Sequence, residues 1–335
     1  MRHRFLGAVC VRATVTAVAS LTPGVVSAQA SIAHFVETAK APGQSGQART
    51  PVARAWTSPR TPWGEPDLQG IWDYRTITPL ERPKELTGKP VLTNEEAAAL
   101  EARTAKARAD DRYYWDRGST VVPDKRTSLI VDPPDGRVPP LTPEGRARVE
   151  AARVNEQGVD FAEQRSLIER CITRTLPRLP DLYNNNYQIL QAPGYVVILM
   201  EMIHDARIIP LDGRPHLGQQ VRQWHGDSRG RWDGNTLVVD TTNFTGKTNF
   251  RGSAEKLHLV ERFTRVDAHT INYEFTIDDP TTFTKPWTAA VPLTKTESLL
   301  YEYACHEGND GLADILSINR TVEKAAEEAV ISSAK

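Results

Sequence analysis

Residues 187–305 constrain the fold more than any other part of the chain, because short apolar segments alternate there with turn residues. Segments 221–225 and 229–232 lead into Asp233-Gly234-Asn235, which is a strong hairpin signal. Other predicted strands occupy residues 195–201, 206–211, 236–244, 257–266, 270–277, 283–293 and 299–305. Turns at this spacing predict an antiparallel barrel or sandwich of about eight strands rather than a parallel α/β sheet.

Helix signals lie on both sides of this β region. Asn94 with Glu95 and Glu96 predicts a helix over 94–110, since acidic residues in the first turn interact favourably with the helix dipole. Thr142 followed by Pro143 predicts a second helix that ends near residue 156. Further helices are predicted over 161–171 and 322–332. The fold class is therefore mainly β with α additions, with helical segments first and a short terminal helix last.

The N-terminus has the composition of a secretory signal. Residues 1–30 combine a basic start, an apolar middle and the small-x-small tripeptide Ala28-Gln29-Ala30. Arg12 and Pro23 interrupt the apolar part, which argues against a membrane span. Residues 31–58 are rich in Ala, Gly, Ser, Gln and Pro and predict a flexible linker. The prediction is a periplasmic or extracellular protein whose single β domain spans 59–335.

Composition gives no support for two classes of partner, nucleic acids and anionic membranes. The chain is 39% hydrophobic and 25% charged, with a formal net charge of −1, as is ordinary for a soluble protein with a substantial core. This balance favours neither nucleic acid nor an anionic membrane as partner. A small-molecule ligand or substrate is the partner we expect, and the composition does not predict an oligomeric state.

The cysteines predict a disulfide. Cys10 lies inside the signal peptide, so Cys171 and Cys305 remain as an even pair in an oxidising compartment. A disulfide is the expected outcome, and the alternative is a reactive thiol beside His306.

Two sets of residues resemble known proteins. Gly70-Ile71-Trp72 resembles the Gly-x-Trp of the first strand in lipocalin-like barrels, where the Trp closes one barrel end. Residues 61–72, 203–216 and 303–309 together resemble a family of uncharacterised secreted bacterial proteins, over nearly the whole mature chain. The resemblance implies export and a lipocalin-like β-barrel, and it implies no particular reaction.

Glu261 is the first candidate for chemistry. On strand 257–266 it shares a face with Leu259 and Phe263, and a buried carboxylate must be paired, protonated or in contact with a wet cavity. Tyr273 repeats the pattern on the next strand. Glu261 is therefore either a catalytic carboxylate or half of an ion pair with an arginine on an adjacent strand.

A second group lies at the end of the first apolar segment. His204 titrates near neutral pH, and Asp205 beside it could orient the imidazole for acid–base catalysis. Alternatively, Asp205 caps the turn and His204 is a solvated loop residue. A third candidate is His306, which a disulfide at Cys305 would hold on rigid backbone.

These residues predict a small-molecule site without a metal or cofactor. The candidate catalytic residues are His204, Glu261, His306 and Glu201, and the candidate substrate-binding residues are Arg207, Tyr195, Trp224 and Tyr273. An acid–base lyase, isomerase or hydrolase fits them. The alternatives are a carrier for a hydrophobic ligand, and an envelope or interaction protein without a small-molecule site.

Two further motifs carry less weight. No His-x-His, His-Glu-x-x-His or paired Cys-x-x-Cys spacing occurs, although separate strands could still assemble a metal site. Gly226-Asp-Ser228-Arg-Gly230 matches the Gly-x-Ser-x-Gly nucleophile elbow, which needs a helix after the serine. A turn and a strand follow here instead, so a β-hairpin is the better interpretation.

Overall fold

A computed structural model of the protein describes residues 56–109, 120–157, 160–181 and 183–333, and its largest element is one antiparallel sheet. The ten strands of the sheet are β1 (Gly70–Asp73), β2 (Ile130–Asp132), β3 (Asn186–Ala192), β4 (Tyr195–Met200), β5 (Ala206–Pro210), β6 (Asp227–Asp233), β7 (Thr236–Thr242), β8 (His258–Arg265), β9 (Thr270–Asp278) and β10 (Trp287–Thr296). The predicted signal peptide 1–30 and nearly all of the predicted linker 31–58 lie outside the described residues.

The sheet order is β5-β4-β3-β1-β10-β9-β8-β7-β6, with β2 paired to β10 beside β1. Strands β3 to β5 and β6 to β9 form two meanders, and β1 and β10 join them. Short connections between neighbouring segments produce this arrangement, because sequential strands pair most readily. The prediction of a mainly antiparallel β fold with α additions is confirmed.

The two outer strands, β5 and β6, face each other across a gap that we call the seam. No backbone ladder joins them among the described residues, so the sheet is not closed by hydrogen bonds. Side chains from the β5 side pack against the backbone of Gly230 on β6, since a Cβ atom on Gly230 would lie 2.5 Å from Leu211 Cδ2 and 2.9 Å from Ile209 Cγ2. The absence of a side chain at Gly230 leaves room for this close approach of the two edges.

One face of the sheet encloses the core. Leu259, Glu261 and Phe263 on β8 are fully buried, which confirms the alternation read from the sequence. The Phe263 and Tyr273 rings stack with centroids 4.6 Å apart. Trp72 is also fully buried, and the Arg265 guanidinium lies 5.5 Å from the centre of its ring. The interior thus combines aliphatic side chains with a group of aromatic ones, which contribute burial and specific ring contacts.

The helices are α1 (Asn94–Ala109), α2 (Pro143–Gln157) and α3 (Asp310–Ser333). Thr93 and Glu96 form a reciprocal capping box before α1, with N–H···O distances of 2.9 and 3.2 Å. Thr142 caps α2 by accepting the Gly145 N–H at 2.9 Å. The first two helix predictions are confirmed to within a residue or two at each end.

Four local predictions are wrong. Residues 221–225 are not a strand, since they contain only an isolated bridge from Gln223 to Phe244 and a turn at 224–225 before β6. Residues 161–171 form turns around the 3₁₀ segment Ala162–Gln164 instead of a helix, since Arg165 has extended dihedrals and Ser166 starts a separate turn capped by Glu169. Residues 299–305 are not a strand, and two of their backbone groups, the Tyr301 carbonyl and the Tyr303 N–H, form hydrogen bonds with the imidazole of His204 instead. Helix α3 begins twelve residues earlier than predicted, at Asp310.

The predicted disulfide is confirmed. Cys171 and Cys305 are bonded, with a Cα–Cα distance of 5.7 Å, and the bond ties the segment before α3 to the turns at 162–171. Among the described helices, none has both the length and the apolar character that a membrane span requires.

Candidate functional site

A pocket of about 480 Å³ opens at the seam, lined by residues 206–208 and 222–229, and we call it the seam pocket. Strand β5 supplies one wall, where Ile208 is 66% exposed. The segment that enters β6 supplies the other wall, including Trp224 and His225. The gap between two unpaired sheet edges therefore provides a concave surface with polar and apolar parts, which is the usual character of a small-molecule site.

His225 belongs to a hydrogen-bonded cluster with Thr173 and Asp205. The Thr173 hydroxyl is 2.8 Å from Asp205 Oδ2 and 2.5 Å from His225 Nε2, and His225 Nε2 is 3.3 Å from Asp205 Oδ2. The carboxylate can only accept, so Thr173 donates its single proton to Asp205. The hydroxyl oxygen must then accept from the imidazole, which places a proton on Nε2.

The other imidazole nitrogen of His225 is available to a bound molecule. No hydrogen bond among the described residues involves Nδ1, while the ring lines the seam pocket. With Nε2 protonated, the neutral ring carries its lone pair on Nδ1. The arrangement is that of a base whose tautomer is fixed by a carboxylate and a hydroxyl, and whose basic nitrogen is left open.

The backbone fixes where the His225 ring lies. Gly226 has φ +65°, and a Cβ atom there would lie 2.5 Å from the Thr242 carbonyl oxygen. Glycine is therefore required immediately after His225, where the chain turns into β6. Thr248 adds a second constraint by donating its hydroxyl proton to the Trp224 carbonyl at 2.9 Å.

A second polar network lies inside the sheet, behind the pocket. Arg207 forms a bidentate ion pair with Glu261, with N–O distances of 2.6 and 3.1 Å. The Tyr273 hydroxyl donates to Glu261 at 2.8 Å, and Arg207 also donates to Ser228 and Thr241. Burial is the largest influence on the pKa of Arg207 and would lower it, but the charge and the hydrogen bonds of Glu261, with smaller contributions from Tyr273 and Tyr187, together raise it. The pKa of Tyr273 is raised by burial and by the same carboxylate.

A third network lies on the outer side of β7 and β8. His216 lies between two carboxylates, with Nδ1 3.0 Å from Asp227 and Nε2 2.9 Å from Asp240. His258 Nε2 binds the other Asp240 oxygen at 2.9 Å. The hydrogen bond between His258 and Asp240 raises the pKa of the histidine and lowers that of the carboxyl group. This network ties the loop before β6 to the sheet.

The structure brings together some of the predicted site residues. Arg207, Glu261 and Tyr273 are in direct contact inside the sheet, and Arg207 also lines the seam pocket with Trp224. Ser228 of the rejected elbow motif lies within β6, as the hairpin interpretation predicts. Its hydroxyl bonds to Arg207 and Thr241, so it is held by the interior network.

The other predicted site residues do not line the seam pocket. His204 binds backbone groups of Tyr301 and Tyr303, and His306 is exposed on the turn after Cys305. Glu201 accepts two hydrogen bonds from Asn186, and burial raises its pKa. Tyr195 is 39% exposed, and its hydroxyl accepts from Arg214 at 3.3 Å. These four side chains do not share a pocket with Glu261 among the described residues.

Sequence reasoning missed His225 and Thr173 as a pair. Of the two alternatives for Asp205, orienting His204 or capping the turn, neither included the contact that the structure shows, which is with His225 and Thr173. The only local signal was Gly226 directly after His225, which marks a constrained turn. Thr173 lies 52 residues away, and strand periodicity does not indicate that contact.

No group of three or more His, Cys, Asp or Glu side chains is arranged to hold a metal ion within the described part of the chain. In comparisons with known proteins, no protein-family model and no curated protein matches the chain. The chemistry of the site therefore rests on its geometry alone.

Proposed function

We propose that the protein is an exported enzyme that performs proton-transfer chemistry on a small, partly apolar substrate in the seam pocket, with His225 as general base. The observation that carries the proposal is the cluster that fixes Nε2 of His225 and leaves Nδ1 without a hydrogen-bond partner among the described residues, on a ring that lines the pocket. A base that is held in one tautomer and one orientation is what acid–base catalysis requires.

In the proposed reaction, Nδ1 of His225 takes a proton from the substrate or from a water molecule. The resulting imidazolium keeps its Nε2–H directed at Thr173 and Asp205, whose carboxylate offsets the positive charge. Ile208 and Trp224 provide apolar surface for the rest of the substrate. A lyase, an isomerase and a hydrolase all use such a step.

The proposal includes export through a signal peptide and a lipocalin-like barrel. The Cys171–Cys305 disulfide supports an oxidising compartment. The Arg207–Glu261 ion pair supports a barrel-like enclosure, because it links β5 to β8 across the interior of the sheet. Both expectations are tested by mass spectrometry of the mature N-terminus and by an experimental structure.

The test is a screen of the secreted protein against esters, lactones and carbon acids with apolar side groups. We expect His225→Asn to lower kcat/KM for any active compound by about 10²–10⁴-fold, the usual contribution of a general base. His269→Asn is the matched control, because His269 is exposed on the turn between β8 and β9. Activity that survives in His225→Asn would refute the assignment.

The alternative is a carrier for a hydrophobic ligand. It is favoured by Ile208 and Trp224, which leave apolar surface exposed in the pocket. A ligand that co-purifies with the protein and binds His225→Asn unchanged, without conversion by the wild type, would support the carrier over the enzyme.

A further inference from the structure

A second cavity, of about 380 Å³, lies on another side of the molecule between α2, the turns at 163–170 and the loop at 246–254. It shares no lining residue with the seam pocket. Its volume is in the range of small-molecule sites. Most of the lining is apolar, and Ala151, Leu167 and Ala254 contribute to it.

The charged groups of this cavity are mostly basic. Arg148, Arg165, Arg170 and Lys247 line it, against the single acid Glu163. They come from three separate segments, so the fold brings like charges together. Arg148 and Arg165 are each paired with a carboxylate, Glu144 and Glu169, so Arg170 and Lys247 carry the charge that a bound anion would offset.

Two of the cationic side chains have no hydrogen-bond or ion-pair partner among the described residues. The side chains of Arg170 and Lys247 make no hydrogen bond or ion pair with another residue in the described ranges. Arg148, by contrast, is held by Thr282 at 2.7 Å, Thr281 at 3.0 Å and the Gly252 carbonyl at 3.1 Å, and it forms an ion pair with Glu144. The cavity therefore combines one fixed, paired arginine with two cationic donors that have no partner among the described residues.

We propose that this cavity binds a small organic anion with an apolar body, whose carboxylate, sulfonate or phosphate group is held by Arg170 and Lys247. In this proposal, the apolar lining contacts the body of the ligand, and the two cations bind its head group. An arginine can donate two parallel hydrogen bonds to such a group, while a lysine acts as a point charge. The site is independent of the acid–base chemistry proposed for the seam pocket.

The test compares two dyes that differ in charge. The anionic probe is 8-anilinonaphthalene-1-sulfonate, and the neutral probe is N-phenyl-1-naphthylamine, which lacks the sulfonate. Fluorescence titration of the full secreted protein should give a Kd for the anion that weakens by about tenfold for each of Arg170→Gln and Lys247→Gln, as expected for the loss of a charge-assisted hydrogen bond. The neutral probe should bind weakly and should be insensitive to both substitutions.

Matched variants control for charge and for position. Lys285→Gln with Arg320→Gln removes the same charge at exposed sites outside the cavity, and should leave the Kd unchanged. Arg170→Lys with Lys247→Arg keeps both charges and should retain most of the affinity. His225→Asn should bind the anion like the wild type.

Three results would overturn the proposal. The first is an unchanged anion Kd in the Arg170→Gln, Lys247→Gln double variant. The second is a neutral probe that binds as tightly as the anion. The third is loss of anion binding in His225→Asn, which would move the ligand to the seam pocket.

Discussion

The interior network reaches the seam pocket through Arg207, which lines the pocket together with His225, yet the network and the His225 cluster use their hydrogen-bonding groups differently. Glu261 is fully buried and receives donors from both Arg207 and Tyr273. His225 is partly buried and, among the described residues, forms hydrogen bonds through only one of its two ring nitrogens. The first network is largely satisfied within the protein, whereas the second leaves one basic atom for something else.

This difference separates a structural role from a chemical one. A carboxylate that already holds an arginine and a tyrosine cannot also take a proton from a substrate without losing buried bonds. An imidazole with one fixed and one open nitrogen can exchange a proton and keep its orientation. Glu261, the most conspicuous candidate in the sequence, is therefore better explained by stability, and His225 by function.

The largest expected effect comes from breaking the interior network. Glu261→Gln should lower the free energy of unfolding by about 3–5 kcal/mol, because it leaves the buried Arg207 charge without its counter-ion. Urea denaturation monitored by tryptophan fluorescence measures the change. Glu274→Gln is the control, since Glu274 lies on the outward face of the adjacent strand and should change stability by less than about 0.5 kcal/mol.

Removal of the whole network sharpens the same test. The triple variant Arg207→Met, Glu261→Leu, Tyr273→Phe eliminates every charged or donor group that depends on the ion pair, while Ser228 and Thr241 keep their mutual hydrogen bond of 3.0 Å. It should recover most of the stability lost in Glu261→Gln, since apolar replacement of a buried pair is often neutral. A loss below about 1 kcal/mol in Glu261→Gln would contradict the structural role.

The sequence predicted the inside of the sheet better than the contacts across it. Alternation on β8 and β9 correctly grouped Glu261 and Tyr273 with the apolar side chains of their strands, because one buried face imposes a period of two, but it left open which face is interior. The expectation that Glu261 pairs with an arginine is correct, but the partner is not on an adjacent strand. Arg207 lies on β5, at the far end of the strand order, and the period of a strand says nothing about which edges approach each other.

The same limit explains why the candidate site was harder to predict. His225 follows a segment without regular alternation, and its partners come from a turn and from the residue just before β5. Only the assembled fold brings Thr173, Asp205 and His225 together. Sequence patterns predicted the disulfide, the helix caps and the alternation along the strands, which depend on compartment or on neighbouring residues, but they could not predict a cluster formed by loops.

The second prediction tests whether Asp205 and Thr173 fix the tautomer of His225. In the wild type, ¹⁵N NMR of the imidazole should show the proton on Nε2 in the neutral ring. Asp205→Asn should give a mixture of tautomers and should lower kcat/KM by about 100-fold through loss of orientation, since small misplacements of a reacting group have effects of this size. Asp205 is therefore a positioning residue.

Thr173 provides the matched pair for this test. Thr173→Ser keeps the hydroxyl and should keep the Nε2–H tautomer, whereas Thr173→Val removes the acceptor and should lose it. Stability should fall by about 1 kcal/mol in Thr173→Val, as is typical for a lost hydrogen bond. A wild-type ring with its proton on Nδ1 would exclude the proposed role of His225.

The smallest expected change in stability comes from the network on the outer side of β7 and β8, where the ion pair is partly exposed to solvent. His258 faces Asp240 and Asp278, and its pKa is raised above 6.5 chiefly by the hydrogen bond with Asp240. This pair stabilises the fold while His258 is protonated and Asp240 is ionised, so its contribution is present below about pH 6.5 and is lost as the pH rises through the raised pKa. At the acid end the contribution disappears as Asp240 is protonated below its lowered pKa.

His258→Gln should therefore be less stable than the wild type between about pH 4 and 6.5, by no more than about 1 kcal/mol because the His258 side chain is 40% exposed. The difference should shrink as the pH rises through the raised pKa of His258, while His269→Gln stays level throughout; a His258→Gln difference that is constant with pH would show that the ion pair contributes nothing beyond packing.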